Sequence, residues 1–226
     1  MNSDDLEIVR HPRARALKLS LDPVTGRARL VVPRRAALKG ALAWAEGKAD
    51  WLAGQRARLP EARPFAPGLV LAVADEALVI DWAAGPRRTV LRDGDVLSVE
   101  GPLETLPRRV GTWLRRAALD LLSQETGEFA GKAGVSVAQV AVGDPRGRWG
   151  SCASTGVIRF SWRLILAPGF VRRTTVAHEV AHRVHMNHGP AFHALVATLL
   201  DSDPAPARVW LRRHGAALHW VGRSSG

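Results

Sequence analysis

The stretch HEVAHRVHMNHGPAFH, residues 178–193, holds five of the chain's eight histidines in sixteen positions. Its first five residues follow the pattern H-E-x-x-H. On a helix, positions i and i+4 lie one turn apart on one face, so His178 and His182 can turn their imidazoles toward one ion. Glu179, between them, is placed to reach a water beside that ion, where metal-assisted hydrolysis needs a general base. Val176, Val180 and Val184, with Ala177 and Ala181, form an apolar stripe on another side. The expected helix, about 169–187, therefore has a core face and a separate chemical face.

A hydrolytic zinc takes three protein ligands and keeps a fourth position open. His185 shares a face with His178, but seven residues separate them by about 10 Å along a continuing helix, too far to share a small ion. His188 follows Asn187 and precedes Gly189-Pro190, where the helix should end and the chain can fold its imidazole back. His193 belongs to the next helix, opened by Pro190, and is expected to pack behind the ligands. No Asp or Glu occurs between 183 and 200, which disfavours a carboxylate ligand. The expected site is thus Zn²⁺ on His178, His182 and His188, with Glu179 as base. The spacing H-E-x-x-H-x5-H also fits metzincins. Here, however, His185 replaces their glycine, and no methionine follows Met186 to supply a Met-turn.

Working outward, the chain reads as α+β. "RALKLSLDPVTGRARLVVP" (15–33) alternates apolar residues about a turn and predicts a β-hairpin. A helix is expected near 36–58, then a break at Pro60, Pro64 and Pro67. Strands are expected around 69–73, 77–82, 88–92 and 95–99, with "RDGD" as a hairpin turn. Beyond these come a helix over 106–130, strands at 135–142 and 156–162 and a final helix at 205–219. These divide into a β-rich N-terminal region, 1–105, and a compact zincin-like domain with the histidine helix, 106–226.

Composition limits the setting. The 226 residues carry a formal net charge of +11, and 28 of the 32 basic residues are arginine. Residues 1–60 hold 12 basic and 6 acidic side chains, 61–105 hold 4 and 8, and 106–226 hold 16 and 7. The basic blocks suit contact with a nucleic acid or nucleotide. The start lacks a signal-peptide core, and no apolar run approaches the roughly 20 residues of a membrane span. A cytoplasmic protein without membrane association is expected. The single cysteine, Cys152, rules out a multi-cysteine zinc site and suits a reducing compartment.

The segment "RWGSCASTGVIRFSWRLILAPGFVRRTTVAHEVAHRVHMNHGPAF" (148–192) closely resembles the YgjP-like metal-dependent hydrolases, zincin-type proteins related to SprT-like proteases. The N-terminal hairpin, "KADWL" and "VWLRRHGAAL" resemble the same family, so the likeness covers most of the chain. It implies a zinc-peptidase domain with His178, His182 and His188 as ligands and Glu179 as catalytic acid/base, acting on a peptide or protein. Ser161 and His193 depart from the family pattern, where Asn and Trp are common.

Several residues beside the motif have two readings. Arg148 can bind a carboxylate or phosphate or stabilise an oxyanion, or "RWGSC" can be a structural turn in which Trp149 fills core and Gly150 permits the bend. The strand at 156–162 can line the cleft as an edge that pairs with extended substrate, or serve only as sheet core. Cys152 has no evident base to make it a nucleophile. Arg183 is expected in solvent, and His11, His214 and His219 at the surface or in packing. The chain has no tyrosine, so zinc, Arg148 or His185 must polarise the scissile group. Two rivals to a peptidase are a metal-dependent phosphoanhydride (nucleotide) hydrolase and a nucleic-acid-binding module with structural zinc. The first lacks a glycine-rich phosphate loop. The second needs four closed ligands and gives Glu179 no role.

Overall fold

Leu30 and Val32 alternate with less buried neighbours along one strand, and their apolar face is covered by Ala41 and Ala45 of a short helix. The computed structural model describes residues 6–87 and 89–224. The chain divides into two compact units, Met1–Glu61 and Ala62–Gly226. In the first, β2 (Lys18–Leu21) and β3 (Ala28–Pro33) form the expected antiparallel hairpin. The Asp22 carboxylate accepts from the Val24 N–H and the Thr25 hydroxyl to shape its turn. A further strand that the sequence pattern does not predict, β1 (Leu6–His11), lies parallel to β3. The single helix expected near 36–58 is instead two, α1 (Leu38–Glu46) and α2 (Ala49–Arg56). They part at Gly47–Lys48, where a glycine weakens the helix and Lys48 leaves helical angles at φ −107° and ψ 15°.

The second unit opens with β4 (Val70–Val73), β5 (Glu76–Ala83), β6 (Val90–Asp93) and β7 (Val96–Glu100), in the order β4-β5-β7-β6. All four lie within about two residues of the expected strands. The division expected near residue 105 falls inside this unit. There α3 (Leu106–Ala133) follows β7, and its stripe of Leu114, Ala118, Leu122 and Phe129 shares one core with strands on both sides of it in sequence. Gly134, at φ 66°, terminates α3 in the left-handed region that glycine adopts without penalty.

A second sheet has the order β8-β10-β9, from β8 (Gln139–Gly143), β9 (Gly150–Cys152) and β10 (Val157–Ser161). β10 runs parallel to β8 and antiparallel to β9. Two expectations change here. β10, read as a candidate edge strand, is central, and the edge is β9, which lies between the two expected strands where none was expected. Three residues are too few for alternation to register in the sequence. β10 also stops at Ser161, one residue early, because the buried Ser161 hydroxyl accepts from the Arg163 N–H at 3.4 Å and caps a 3-10 turn, Trp162–Leu166.

Three helices complete the unit: α4 (Gly169–Ala181), α5 (Pro190–Leu200) and α6 (Ala205–Leu218). α4 is pinned at its start by Asp75, in the Ala74–Asp75 turn between β4 and β5, where both residues have positive φ. The Asp75 carboxylate accepts from the Gly169 N–H at 2.6 Å and from Arg172 at 3.2 Å, an anion at the positive end of the helix. Gly169 makes room for it, since a Cβ there would lie 2.6 Å from Asp75 Oδ2. Arg172 also donates to Glu125 of α3 at 3.0 Å, with each side chain only 6% exposed. Burial pushes the Glu125 carboxyl up and the Arg172 charge pulls it back. No helix among the described residues is long and apolar enough to cross a membrane.

A buried ion pair adds little over an apolar pair, but removing one partner strands the other. Glu125→Ala is therefore expected to lower the unfolding free energy by about 3 kcal/mol, read from urea denaturation. An unchanged midpoint would show that Asp75 alone satisfies Arg172.

Candidate metal centre

α4 buries Val176, Ala177, Val180 and Ala181 in the core, which leaves His178 half-buried on another side. The helix ends at Ala181, short of the expected 187, with His182 still helical at φ −64° and ψ −15°. His178 and His182 thus keep their one-turn relationship, with ring centroids 5.0 Å apart. Beyond them the chain tightens: Arg183 N–H bonds to the Val180 carbonyl, and Val184 N–H to that of Ala181, each across three residues. Val184, expected on the core stripe, lies past this point and is exposed. No residue from 182 to 189 has positive φ, so the reversal needs no left-handed cap.

The reversal brings His188 back to the helix. Its ring lies 5.1 Å from that of His178 and 4.7 Å from that of His182. The Nε2 atoms of His178 and His188 are 3.2 Å apart, and one nitrogen from each of the three rings falls within 4.8 Å of the others. Two nitrogens on one tetrahedral zinc, each at 2.0–2.1 Å, would be separated by about 3.3 Å. The donor set therefore fits a small divalent ion.

The rings are also in the right form. Burial, and then the neighbouring His182 and His188, lower the His178 pKa to about 4. Burial lowers that of His182 as well. Both are neutral at pH 7, as a metal ligand must be. His182 Nδ1 lies 3.0 Å from the His185 carbonyl, to which its N–H donates, and this leaves the Nε2 lone pair free. His185 thus contributes its backbone, and its ring is outside the three-histidine group. His193 is exposed, its ring 6.4 Å from that of His188.

Phe192 completes the cluster, although the sequence pattern gives no sign of it. Fully buried on α5, it touches all three rings, at 4.8 Å from His178, 4.6 Å from His182 and 4.7 Å from His188. It forms a dry floor on which the imidazoles converge. A lone phenylalanine in a helix reads only as core, and no motif sets it apart.

Glu179 is 5% exposed, and burial raises its pKa to about 7 against the pull of Arg148. Its side chain lies against Gly150 of β9: a Cβ there would sit 2.5 Å from Glu179 Oε1 and 2.6 Å from its Cγ. The glycine of "RWGSC" therefore leaves room for a close approach of Glu179, and its φ is not in the left-handed region. Trp149 packs beside it with His219, ring centroids 5.3 Å apart, so its structural reading holds. The Cys152 thiol is pushed up by burial and stays protonated, which agrees with no nucleophilic role. Arg183, expected in solvent, is half-buried and donates to the Ser136 and Ser154 carbonyls, each at 3.2 Å, tying the end of α4 to segments flanking the second sheet. Arg148 is exposed and lines a cavity with Ser151 and Arg159.

A mixed α+β unit carrying three convergent histidines, with a buried carboxyl on the helix that bears the first of them, suits a metal-dependent hydrolase. Residues 16–214 match the YgjP-like metallopeptidase domain, and the chain belongs to that family. Neither the curated proteins nor the solved structures give a match.

Gly150→Ala is expected to leave the fold and the three histidines in place, because the flexible Glu179 side chain yields first. Metal-dependent hydrolysis should fall by about 100-fold, the cost of misplacing a reacting group by about 1 Å. Metal content measured on the same samples separates this from loss of the ion, and full activity would show that the Gly150 contact is incidental.

Proposed function

We propose that the chain is a zinc-dependent peptidase in which His178, His182 and His188 hold the ion and Glu179 is the general base. The 3.2 Å approach of His178 Nε2 to His188 Nε2, with the buried Glu179 following His178 in the chain, carries this reading. Three imidazoles at that spacing suit zinc, and as a set of three they stand one donor short of a closed structural shell. Zinc, when bound, supplies Lewis acidity that polarises a carbonyl and makes water easier to deprotonate.

The remaining steps belong to the protein. Glu179, buried and close against Gly150, takes the proton from the attacking water and later returns it to the leaving amine. Arg148, whose charge reaches Glu179, stands where it can stabilise negative charge on the substrate. The edge strand β9 offers backbone groups to an extended peptide, and Gly150 within it keeps that peptide next to Glu179. Exposed Val184 and Met186, in the reversal before His188, provide apolar rim for side chains. The lone Cys152 suits a reducing, cytoplasmic setting.

Glu179→Gln is expected to retain zinc and lose peptide hydrolysis by at least about 1,000-fold, at the upper part of the range for general acid–base groups. The check compares metal content and turnover of a quenched fluorescent peptide library. Equal turnover by wild type and variant would remove Glu179 as base. Hydrolysis of nucleoside triphosphates but no peptide would move the site to phosphoanhydride chemistry.

A further inference from the structure

A cavity of about 220 Å³ lies beside β9, lined in part by Asp144, Pro145, Arg148, Ser151 and Arg159. Along β10, Ile158 and Phe160 face the core, so Arg159 lies on the opposite face of the sheet and is exposed. Ser151 is its cross-strand partner and shares that face. Neither the Arg148 nor the Arg159 side chain has a hydrogen bond or ion pair among the described residues. The one acidic side chain of the cavity, Asp144, is already taken: Arg163 holds both its oxygens, at 2.7 and 3.0 Å. The cavity thus presents a hydroxyl and two guanidiniums without a hydrogen-bonded partner, of which Arg148 also acts on the Glu179 carboxyl through its charge. It is also smaller than the roughly 300 Å³ of a cleft for a drug-sized ligand, with room for about one side chain.

The cavity and the candidate metal centre share β9. Gly150 pairs with Phe160 on the core side and touches Glu179, while Ser151, the next residue, and Arg148, two residues before it, line the cavity. An extended peptide along this edge would alternate its side chains between the two faces of the sheet. A residue next to one directed at Glu179 would then enter the cavity.

We infer that Arg148 and Arg159, with Ser151, form a subsite for a carboxylate of the peptide, so that the site selects an acidic side chain or a free C-terminus close to the scissile bond. This rests on the peptidase reading above and names its substrate class. Arginine pairs with a carboxylate through parallel hydrogen bonds, and such charged bonds are worth tenfold or more in affinity.

The test uses the full chain carrying Glu179→Gln, titrated by fluorescence anisotropy with rhodamine-labelled hexapeptides. One has a central Glu and an amidated C-terminus, one has Gln in its place, one has Lys, and one is neutral with a free C-terminus. The Glu peptide, the free-C-terminus peptide or both should bind about tenfold more tightly than the amidated Gln peptide, and which of them does so identifies the source of the carboxylate. Adding Arg159→Gln should erase the preference, and Arg159→Glu should turn it toward the Lys peptide. Equal binding of all the peptides, a preference that survives Arg159→Gln, or displacement by inorganic phosphate at lower concentration than by glutarate would overturn the proposal. Wild-type turnover of the same peptides separates the two claims. Selective binding without cleavage leaves the subsite and removes the peptidase reading, whereas cleavage without selectivity does the reverse.

Discussion

Three imidazoles can share one ion only if their nitrogens are brought within a few ångström of one another while uncharged. Positive rings at that distance would repel, and solvated rings would drift apart. In this chain Phe192 meets that constraint. Its buried ring touches His178, His182 and His188 together, and burial holds the His178 pKa down near 4. The convergence is thus a packing result before it is a coordination result. α5 delivers Phe192 to this place in the fold, and the reversal between α4 and α5 delivers His188 over it.

The second unit bears on that contact from both ends of α4. At the start, Asp75 and Glu125 hold Arg172 and the first turn, linking the first sheet and α3 to the helix. At the end, Arg183 reaches the Ser136 carbonyl, before β8, and the Ser154 carbonyl, between β9 and β10, and the His185 carbonyl fixes the tautomer of His182. β9 then closes one side, with Gly150 against Glu179. Apart from the local His185 bond, these contacts join residues far apart in sequence, so His178 and Glu179 on α4, and His182 at its end, belong to a helix whose position is fixed by several independent ties.

Much of this was legible in the sequence, in proportion to how local the signal was. The helix-spaced pair His178 and His182, the stop before Pro190 and the return of His188 follow from rules that act within about ten residues. The four strands of the first sheet follow from alternation and turn chemistry. What escaped depends on partners distant in the chain. Phe192 looks like any core aromatic until three histidines surround it. Gly150 looks like a turn glycine until Glu179 lies on it. β9 is too short to show a period, and Arg183 looks solvent-directed because its carbonyl partners are more than 25 residues away. The helix expected to reach 187 stops at Ala181 because backbone bonds across three residues tighten its last turn, and no residue type announces that.

The central claim is that His178, His182 and His188 hold one metal ion and leave a position open. X-ray absorption at the zinc edge, with metal stoichiometry, on the full chain and on His188→Ala tests it most directly. The expected result is one zinc per chain, three imidazole nitrogens at about 2.0–2.1 Å with one further light donor from solvent, and loss of the ion in the variant. A fourth protein ligand, a sulfur scatterer from Cys152, or zinc retained unchanged in His188→Ala would contradict it.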